Sequence, residues 1–354
     1  MSRVLELALK GEGRTSPNPM VGCVIFKNGS IIAEGWHKKA GSDHAEVMAL
    51  KKAKTNASGA KMVVNLEPCA HYGRTPPCVD RIIESGIRKI VIAHRDPNPL
   101  TKGKSIRKLR RAGIEVSVGC LKTEAERVNR PFLKAIVKGL PFTVIKIAQT
   151  LDGKIATQGG QSKWITSAQT RRMARKRRDG FDAILVGINT VLKDNPRLTG
   201  MKKNSRLKSV ILDTKLRIPE SSLCLGAKPP EDVFLVGTGK ASLQKRKRLE
   251  EKGYRVIIAP GKSGKIDLNW LWRYLAKKDI ISVLVEGGPS VSGSVLKNKL
   301  ADRIHCYIAP ALAADRMAKS SVDGIPLSAV NDCIKLKNVQ IYQLKPDILV
   351  EADV

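Results

Sequence analysis

Residues 67–78 read EPCAHYGRTPPC, and residues 44–46, which precede them, read HAE. His44, Cys69 and Cys78 offer one imidazole and two thiolates. Zn²⁺ prefers nitrogen and sulfur ligands, and a catalytic zinc site keeps three protein ligands and leaves a fourth position for water. The order His-x-Glu, Pro-Cys, Cys is the signature of zinc deaminases that act on amino-heterocycles. The sequence therefore predicts zinc ligands at these three positions and a hydrolytic deamination.

Glu46 is not needed to hold a metal, but the reaction needs a group that moves protons. We expect Zn²⁺ to activate a water molecule, and Glu46 to take its proton and to deliver protons to the ring nitrogen and the departing ammonia. Positions i and i+2 of a regular helix do not share a face, so His44 should lie at an irregular helix start. The prolines before Cys78 predict that this cysteine also begins a helix. A closed structural zinc site, with His71 as the fourth ligand, is the alternative.

Composition limits the class of protein. The length of 354 residues and the apolar fraction of 42% suit about two folded domains. No run of about 18 apolar residues occurs, so no membrane span is expected. The N-terminal ten residues resemble an amphipathic helix and not a signal peptide. With seven cysteines and no secretory features, we expect a reduced, cytoplasmic protein.

The net charge of +32 raises the question of nucleic-acid binding through phosphate contacts. The basic residues occur in both halves of the chain, with local runs at 107–111, 171–178 and 245–248. Aromatic residues make up only 4% of the chain, so little base-stacking surface accompanies the charge. We expect the charge to reflect a general Lys/Arg bias of the genome, together with attraction for small phosphorylated ligands. A tRNA-type deaminase or a basic zinc-containing nucleic-acid-binding protein is the alternative.

The hydrophobic pattern predicts an α/β fold in both halves. In the first half, a hairpin turned at residues 27–29 is followed by strands and helices in alternation, which favours parallel pairing. A helical linker follows, and Pro131 should kink or split it. The second half begins with a strand at 142–148, and its last expected strand at 304–309 precedes a polar C-terminal segment. The expected domains are residues 1–122 and 142–354, joined by the linker 123–141.

The spacing between the cysteines separates this chain from most zinc deaminases, because eight residues lie between Cys69 and Cys78 instead of the two that are usual in cytidine and tRNA-adenosine deaminases. With this long loop, the chain resembles the bifunctional deaminase/reductase family of riboflavin biosynthesis, the RibD family, nearly from end to end. The other matching segments are PNPMVG at 17–22, DPNP at 96–99, LDGK at 151–154, SKWIT at 162–166, TVLKDNPRLT at 190–199 and EGGP at 286–289.

The resemblance implies a cytidine-deaminase-like α/β/α layer domain followed by a dihydrofolate-reductase-like α/β domain. It also implies two successive reactions: zinc-dependent deamination of 2,5-diamino-6-ribosylamino-4(3H)-pyrimidinone 5′-phosphate, then NADPH-dependent reduction of the ribosyl chain to ribityl. By motif match, the substrate contacts are Asn18, Ser162, Arg178, Leu198 and Glu286. The matching NADPH contacts are Ala148, Trp164, Thr190, Asp194, Thr214, Gly288, Pro289, Ser290, Ser292, Gly293 and Ser294.

Taken by themselves, the reductase residues indicate function less specifically than the zinc motif does. Small residues after a strand let a phosphate approach the start of a helix, but ordinary tight turns look the same. Trp164 could equally be a core residue, and Asp194 could cap a turn. The family commonly has Val-Arg after Leu-Thr, with the Arg on the substrate phosphate, whereas here Met201 holds that position. Lys202 or Arg197 would then supply the charge. A homo-oligomer is possible.

Overall fold

The computed structural model describes residues 1–70, 77–202, 205–262 and 264–354. Contacts divide the chain into two compact units, Met1–Leu140 and Pro141–Val354. Among the described residues, no helix has the length and apolar character needed to cross a membrane.

The first unit is one five-stranded sheet flanked by helices. Its helices are α1 (Ser2–Leu9), α2 (Ala45–Ala53), α3 (Cys78–Glu84), α4 (Lys104–Arg111), α5 (Lys122–Val128) and α6 (Arg130–Lys138). Its strands are β1 (Gly22–Lys27), β2 (Ser30–Trp36), β3 (Lys61–Leu66), β4 (Lys89–His94) and β5 (Glu115–Val118), in the order β2-β1-β3-β4-β5. Strands β3, β4 and β5 are parallel, whereas β1 runs antiparallel to both β2 and β3.

Local sequence explains how this sheet begins. The β1–β2 hairpin turns at Asn28 and Gly29, both with positive φ (51° and 80°), as the Asn-Gly pair predicts. Gly35 in β2 lets α2 approach closely, because a Cβ there would lie 2.2 Å from the carbonyl oxygen of Ala45. The expected linker helix is divided at Asn129, two residues before Pro131. Its first half, α5, packs on α1, β3 and β4 inside the first unit.

The second unit is built on a nine-stranded sheet. Its elements begin with β6 (Phe142–Thr150), β7 (Lys154–Ala156), α7 (Ala168–Arg177), β8 (Ala183–Gly187), α8 (Ile188–Asp194), β9 (Lys208–Leu212), α9 (Leu223–Gly226), β10 (Val233–Gly237), α10 (Leu243–Glu251) and β11 (Arg255–Ile258). They continue with β12 (Gly261–Lys262), β13 (Lys265–Ile266), α11 (Leu268–Ala276), β14 (Ser282–Val285), α12 (Pro289–Lys297), β15 (Arg303–Ala309), β16 (Lys319–Ser320), β17 (Lys337–Leu344) and β18 (Asp347–Asp353).

The order of the main sheet is β11-β10-β9-β8-β14-β6-β15-β18-β17. All neighbours from β11 to β15 pair in parallel, and β18 and β17 add an antiparallel edge. The expectation that the strand near 304–309 is the last one was wrong. Three further strands follow it, the short β16 and the two sheet strands β17 and β18. Strand β17 escaped notice because most of its residues are exposed at the sheet edge and lack an apolar run.

Candidate active sites

The three predicted zinc ligands converge in the first unit. His44 precedes α2 in an extended conformation (φ −72°, ψ 162°), Cys69 follows β3, and Cys78 begins α3. One ligand atom from each residue lies within 4.8 Å of the other two. His44 Nδ1 is 3.1 Å from Cys78 Sγ and 3.6 Å from Cys69 Sγ. Both predicted helix starts are therefore confirmed, and both deliver a ligand to one point.

The electrostatics of the trio suit a metal that binds thiolates. The Cys78 thiol is hydrogen-bonded to Cys69 and lowers the pKa of Cys69 to about 4. The Cys78 backbone N–H also donates to Cys69 Sγ at 3.2 Å. Imidazole nitrogen plus two sulfurs is the donor set that Zn²⁺ prefers, so the residues fit the ion. His71, the alternative fourth ligand, and the rest of residues 71–76 lie outside the described residues.

Glu46 occupies the first turn of α2 and is buried, with 4% of its surface exposed. Because His44 stands outside the helix, the carboxyl reaches the same corner as the ligands and is hydrogen-bonded to Cys78. Burial raises the pKa of Glu46 to about 7, although the neighbouring His44 charge opposes the shift. His44 and Glu46 can therefore reach the same metal although they are two residues apart, because His44 lies outside the regular helix.

His37 is a residue of this site that the sequence reasoning missed. Its ring meets the His44 ring edge-on, with centroids 5.3 Å apart. The Asn18 amide is 3.1 Å from His37 Nε2, and the carbonyl oxygen of Asp43 is 3.1 Å from His37 Nδ1. Donation from Nδ1 to Asp43 leaves Nε2 to accept from Asn18. The predicted substrate contact Asn18 is thereby held next to the metal corner.

Two buried amides fix the PNPM segment that carries Asn18. Asn65 of β3 accepts from the Gly22 N–H and donates to the Met20 carbonyl. Asn129, between α5 and α6, accepts from the Met20 N–H and donates to the same carbonyl. The expected linker therefore helps to build the deaminase site, a role that no local sequence signal indicates.

Glu67 connects the segment of the zinc ligand Cys69 to the DPNP segment at residues 96–99. This buried carboxylate precedes Pro68 and Cys69, and it accepts from the backbone N–H groups of Asp96 and Gly103 and from Ser105 Oγ. It ties the end of β3 to the segment after β4. These hydrogen bonds of Glu67 therefore fix the position of the segment that carries Cys69.

The second unit contains a cavity of about 1180 Å³ at the carboxyl ends of its parallel strands. Its walls come from α8, the turn after β9, the start of α12 and the strands β7 and β16. The predicted residues on these walls are Ser162, Thr190, Asp194, Thr214, Gly288, Pro289, Ser290 and Ser294. A cavity of this size, with a helix start and several cations on its walls, fits an extended phosphorylated cofactor such as NADPH.

Other predicted reductase residues have different surroundings. Trp164 is 69% exposed, so it is not a core residue. The Arg171 guanidinium lies 4.2 Å from the centre of its ring. Ala148 lies in β6, which pairs with β14 and β15. Ser292 is buried, and a Cβ on Gly293 would strike the carbonyl oxygen of Asp323. These last two residues support α12 where it packs against the segment around Asp323.

Arg178 and Glu286 form a buried, two-pronged ion pair. Nε and Nη2 of Arg178 donate to Oε1 and Oε2 of Glu286 at 2.7 and 2.8 Å. The Lys146 ammonium, which the sequence reasoning missed, lies 3.9 Å from the same carboxylate. Burial alone would raise the pKa of Glu286, but the charges of Arg178 and Lys146 lower it to about 2. Two of the predicted substrate contacts, Arg178 and Glu286, are thus paired with each other and ionised.

Met201, which stands where the family commonly has an arginine, lies in a turn that is held by Asp179. The N–H groups of Met201 and Lys202 donate to the Asp179 carboxylate, and a Cβ on Gly200 would lie 1.9 Å from Asp179 Oδ1. Arg175 holds the same turn through the carbonyl oxygen of Gly200.

Leu198, just before this turn, is buried with φ 54°. Its carbonyl oxygen accepts from Lys228. The turn is therefore fixed from several sides, mainly through backbone groups.

The two sites define a class, a zinc-type deaminase joined to a nucleotide-dependent reductase. Residues 1–94 match the model of the cytidine and deoxycytidylate deaminase zinc-binding region, and residues 141–350 match that of the RibD C-terminal domain. The riboflavin biosynthesis proteins RibD of Actinobacillus pleuropneumoniae and Aquifex aeolicus are each 41% identical to this chain. The matches cover 99% of this chain and 93% and 96% of theirs.

Solved structures agree with these sequence matches. Acinetobacter baumannii RibD is similar with a TM-score of 0.90 and 36% identity, covering 99% of this chain and 97% of its own. A Thermotoga maritima deaminase/reductase has a TM-score of 0.86 and 37% identity, with 100% and 97% covered. The chain belongs to the RibD family, as predicted, and is a bifunctional, zinc- and NADPH-dependent deaminase and reductase of riboflavin biosynthesis. The nucleic-acid alternatives are not favoured.

Proposed function

We propose that the first unit deaminates 2,5-diamino-6-ribosylamino-4(3H)-pyrimidinone 5′-phosphate and that the second unit then reduces its ribosyl side chain to ribityl. The Thermotoga maritima relative is described as a diaminohydroxyphosphoribosylaminopyrimidine deaminase and 5-amino-6-(5-phosphoribosylamino)uracil reductase. The observation that carries the proposal is the convergence of Glu46 with His44, Cys69 and Cys78 in a chain that also holds a cofactor-sized cavity.

In the deamination, His44, Cys69 and Cys78 would hold the zinc ion, which would supply the activation of a water molecule. The Glu46 carboxylate takes a proton from this water as its oxygen adds to the amine-bearing ring carbon. Glu46 gives this proton to the ring nitrogen. It then takes the second proton from the hydroxyl that has been added to the ring carbon and passes it to the leaving amine as the C–N bond breaks. One water is consumed, one ammonia leaves, and a carbonyl replaces the amine. Asn18, held by His37, orients the pyrimidine ring.

In the reduction, the cofactor supplies the hydride, and the protein contributes position and electrostatics. The start of α12 at Gly288–Ser290 and the wall residues Thr190 and Thr214 hold the cofactor along the cavity. Glu286, fixed by Arg178, contacts the substrate. Because its carboxylate is already paired, it is preorganised and needs no rearrangement as the substrate enters.

The net charge and the cysteines of the chain support a phosphorylated substrate and a cytoplasmic location. A phosphorylated pyrimidine is the partner that both units share, and its negative charge suits a chain with a net charge of +32. None of the seven cysteines is in a disulfide, which agrees with a reducing cytoplasm as the place of action.

The test supplies the diamino-pyrimidinone phosphate to zinc-loaded protein, with and without NADPH. Ammonia should appear in both samples, and NADPH oxidation should follow it with a lag. A chelator-treated sample is the control and should do neither with this substrate. If zinc-loaded protein releases no ammonia, the deaminase assignment is wrong. If ammonia appears but NADPH is never oxidised, the reductase assignment fails.

A further inference from the structure

The strand order of the second unit determines which end of the cavity faces the reaction. Strands β9, β8 and β14 are neighbours and parallel, so their carboxyl ends open side by side onto the cavity. The predicted substrate contact Glu286 follows β14, whose other neighbour is β6. The hydride-donating end of the cofactor must therefore lie toward β6. The opposite, adenosine end must then lie toward β9.

The turn after β9 carries a guanidinium at this adenosine end. Thr214 and Arg217 both line the cavity there. The Arg217 side chain is about half exposed, and Nη2 donates to the Asn189 Oδ1 at 3.2 Å. Its anchoring to α8 leaves the remaining guanidinium N–H groups free to bind a ligand, because an arginine has five.

The acid in the same turn is directed elsewhere. The Asp213 side chain is completely buried, and its Oδ2 accepts from the Ile218 N–H at 2.8 Å. Its Oδ1 is 4.0 Å from Arg217 Nε. In dinucleotide sites, a carboxylate that accepts from the ribose 2′-hydroxyl selects NADH, whereas an arginine accommodates the 2′-phosphate of NADPH. Here the carboxylate of Asp213 is buried away from the cavity, whereas Arg217 of the same turn lines it.

We infer that Arg217 binds the 2′-phosphate of NADPH and thereby sets the preference of the reductase for NADPH over NADH. The inference rests on the proposed function of the second unit and adds a specificity residue to it. A guanidinium suits this task because its planar fork binds phosphate oxygens in pairs.

Other cavity cations occupy different places. The ammonium groups of Lys193 and Lys319 lie 2.7 and 3.4 Å from where a Cβ on Gly160 would stand, at the wall formed by β7 and β16. Lys193 therefore provides a matched control, since it is a cation of the same cavity in a different position. Lys265 of β13 also lines the cavity and is the rival candidate for the 2′-phosphate.

The experiment measures dissociation constants of NADPH and NADH by isothermal titration calorimetry. Wild-type protein should prefer NADPH. Arg217→Gln should weaken NADPH binding about 10- to 100-fold, the value of one or two charge-assisted hydrogen bonds, and leave NADH binding unchanged. The dissociation constant of NADPH for Arg217→Lys should lie between those of the wild type and Arg217→Gln. Lys193→Gln should keep the wild-type ratio of the two constants.

A second probe makes the result independent of the nicotinamide. 2′,5′-ADP should bind the wild type more tightly than ADP, and Arg217→Gln should abolish the difference. An Arg217→Gln protein that still prefers NADPH overturns the inference, as does a loss of preference in Lys265→Gln alone. Wild-type protein that binds neither cofactor refutes the reductase proposal itself, which is a distinguishable result.

Discussion

The two sites differ in how the chain assembles them. In the deaminase unit, three ligand atoms lie within 4.8 Å of one another, and a buried carboxyl joins them. In the reductase unit, the walls of a cavity of about 1180 Å³ come from residues as far apart as Ile155 and Asp323. Bond-breaking with a metal requires a few atoms in contact, whereas hydride transfer requires two large molecules held in position. Single substitutions should therefore be far more damaging in the first site.

The largest effect is expected from loss of a zinc ligand. Cys69→Ala leaves an imidazole and one thiolate, too few ligands for the site, so bound zinc and ammonia release should both fall to background. Zinc content by atomic absorption and ammonia release measure this. Cys120→Ala, at an exposed free cysteine, is the control and should retain both. Full zinc occupancy in Cys69→Ala would contradict the ligand assignment.

Removing the proton carrier separates metal binding from catalysis. Glu46→Gln keeps the shape of the side chain but cannot take a proton, so deamination should slow by about 10²- to 10⁴-fold while zinc stays bound. The exposed Glu12→Gln should behave as wild type. Unchanged ammonia release by Glu46→Gln would remove Glu46 from the mechanism.

The reductase site should respond to substitution through stability. Glu286→Gln leaves Arg178 buried without its counter-charge, which should lower the free energy of unfolding by about 3–5 kcal/mol. Urea denaturation at pH 7 measures the change. Arg246→Gln breaks an exposed pair with Glu250 and should change it by about 1 kcal/mol or less. Equal losses in the two variants would show that burial of the Glu286 pair carries no extra stability.

The same pair predicts a pH dependence. The pKa of Glu286 is lowered from 4.5 to about 2 in the folded protein. The stabilisation is therefore complete above the unfolded pKa and is lost as the pH falls from about 4.5 toward 2. The advantage of the wild type over Glu286→Gln should shrink as urea titrations move from pH 6 to pH 3. A constant difference between the two proteins across this range would contradict the assignment.

The smallest effect concerns the turn at Gly200. Gly200→Ala forces a methyl group against Asp179 and should destabilise the protein by about 1–3 kcal/mol. Gly226→Ala is the matched control, because a Cβ there meets nothing within 4 Å, and it should be neutral or slightly stabilising. Thermal unfolding compares the two. Equal stability of both variants would show that the Asp179 carboxylate yields at little cost.

The deaminase site was predictable because its residues form short motifs with a chemical meaning. His44, Glu46, Cys69 and Cys78 are each implied by the reaction, and the helix starts follow from prolines and local pattern. His37 and Asn129 were not predictable, because their roles depend on packing between distant segments. The strand β17 was missed because an exposed edge strand lacks an apolar run. Arg175 and Lys146 act through tertiary contacts that leave no local pattern.

The central claim is that one chain carries two separate catalysts. The most direct test gives Glu46→Gln protein the already deaminated intermediate and follows NADPH oxidation by absorbance. The two-catalyst account predicts the wild-type rate, because Glu46 belongs to the first unit and the cofactor cavity to the second. A rate that falls together with ammonia release would contradict it.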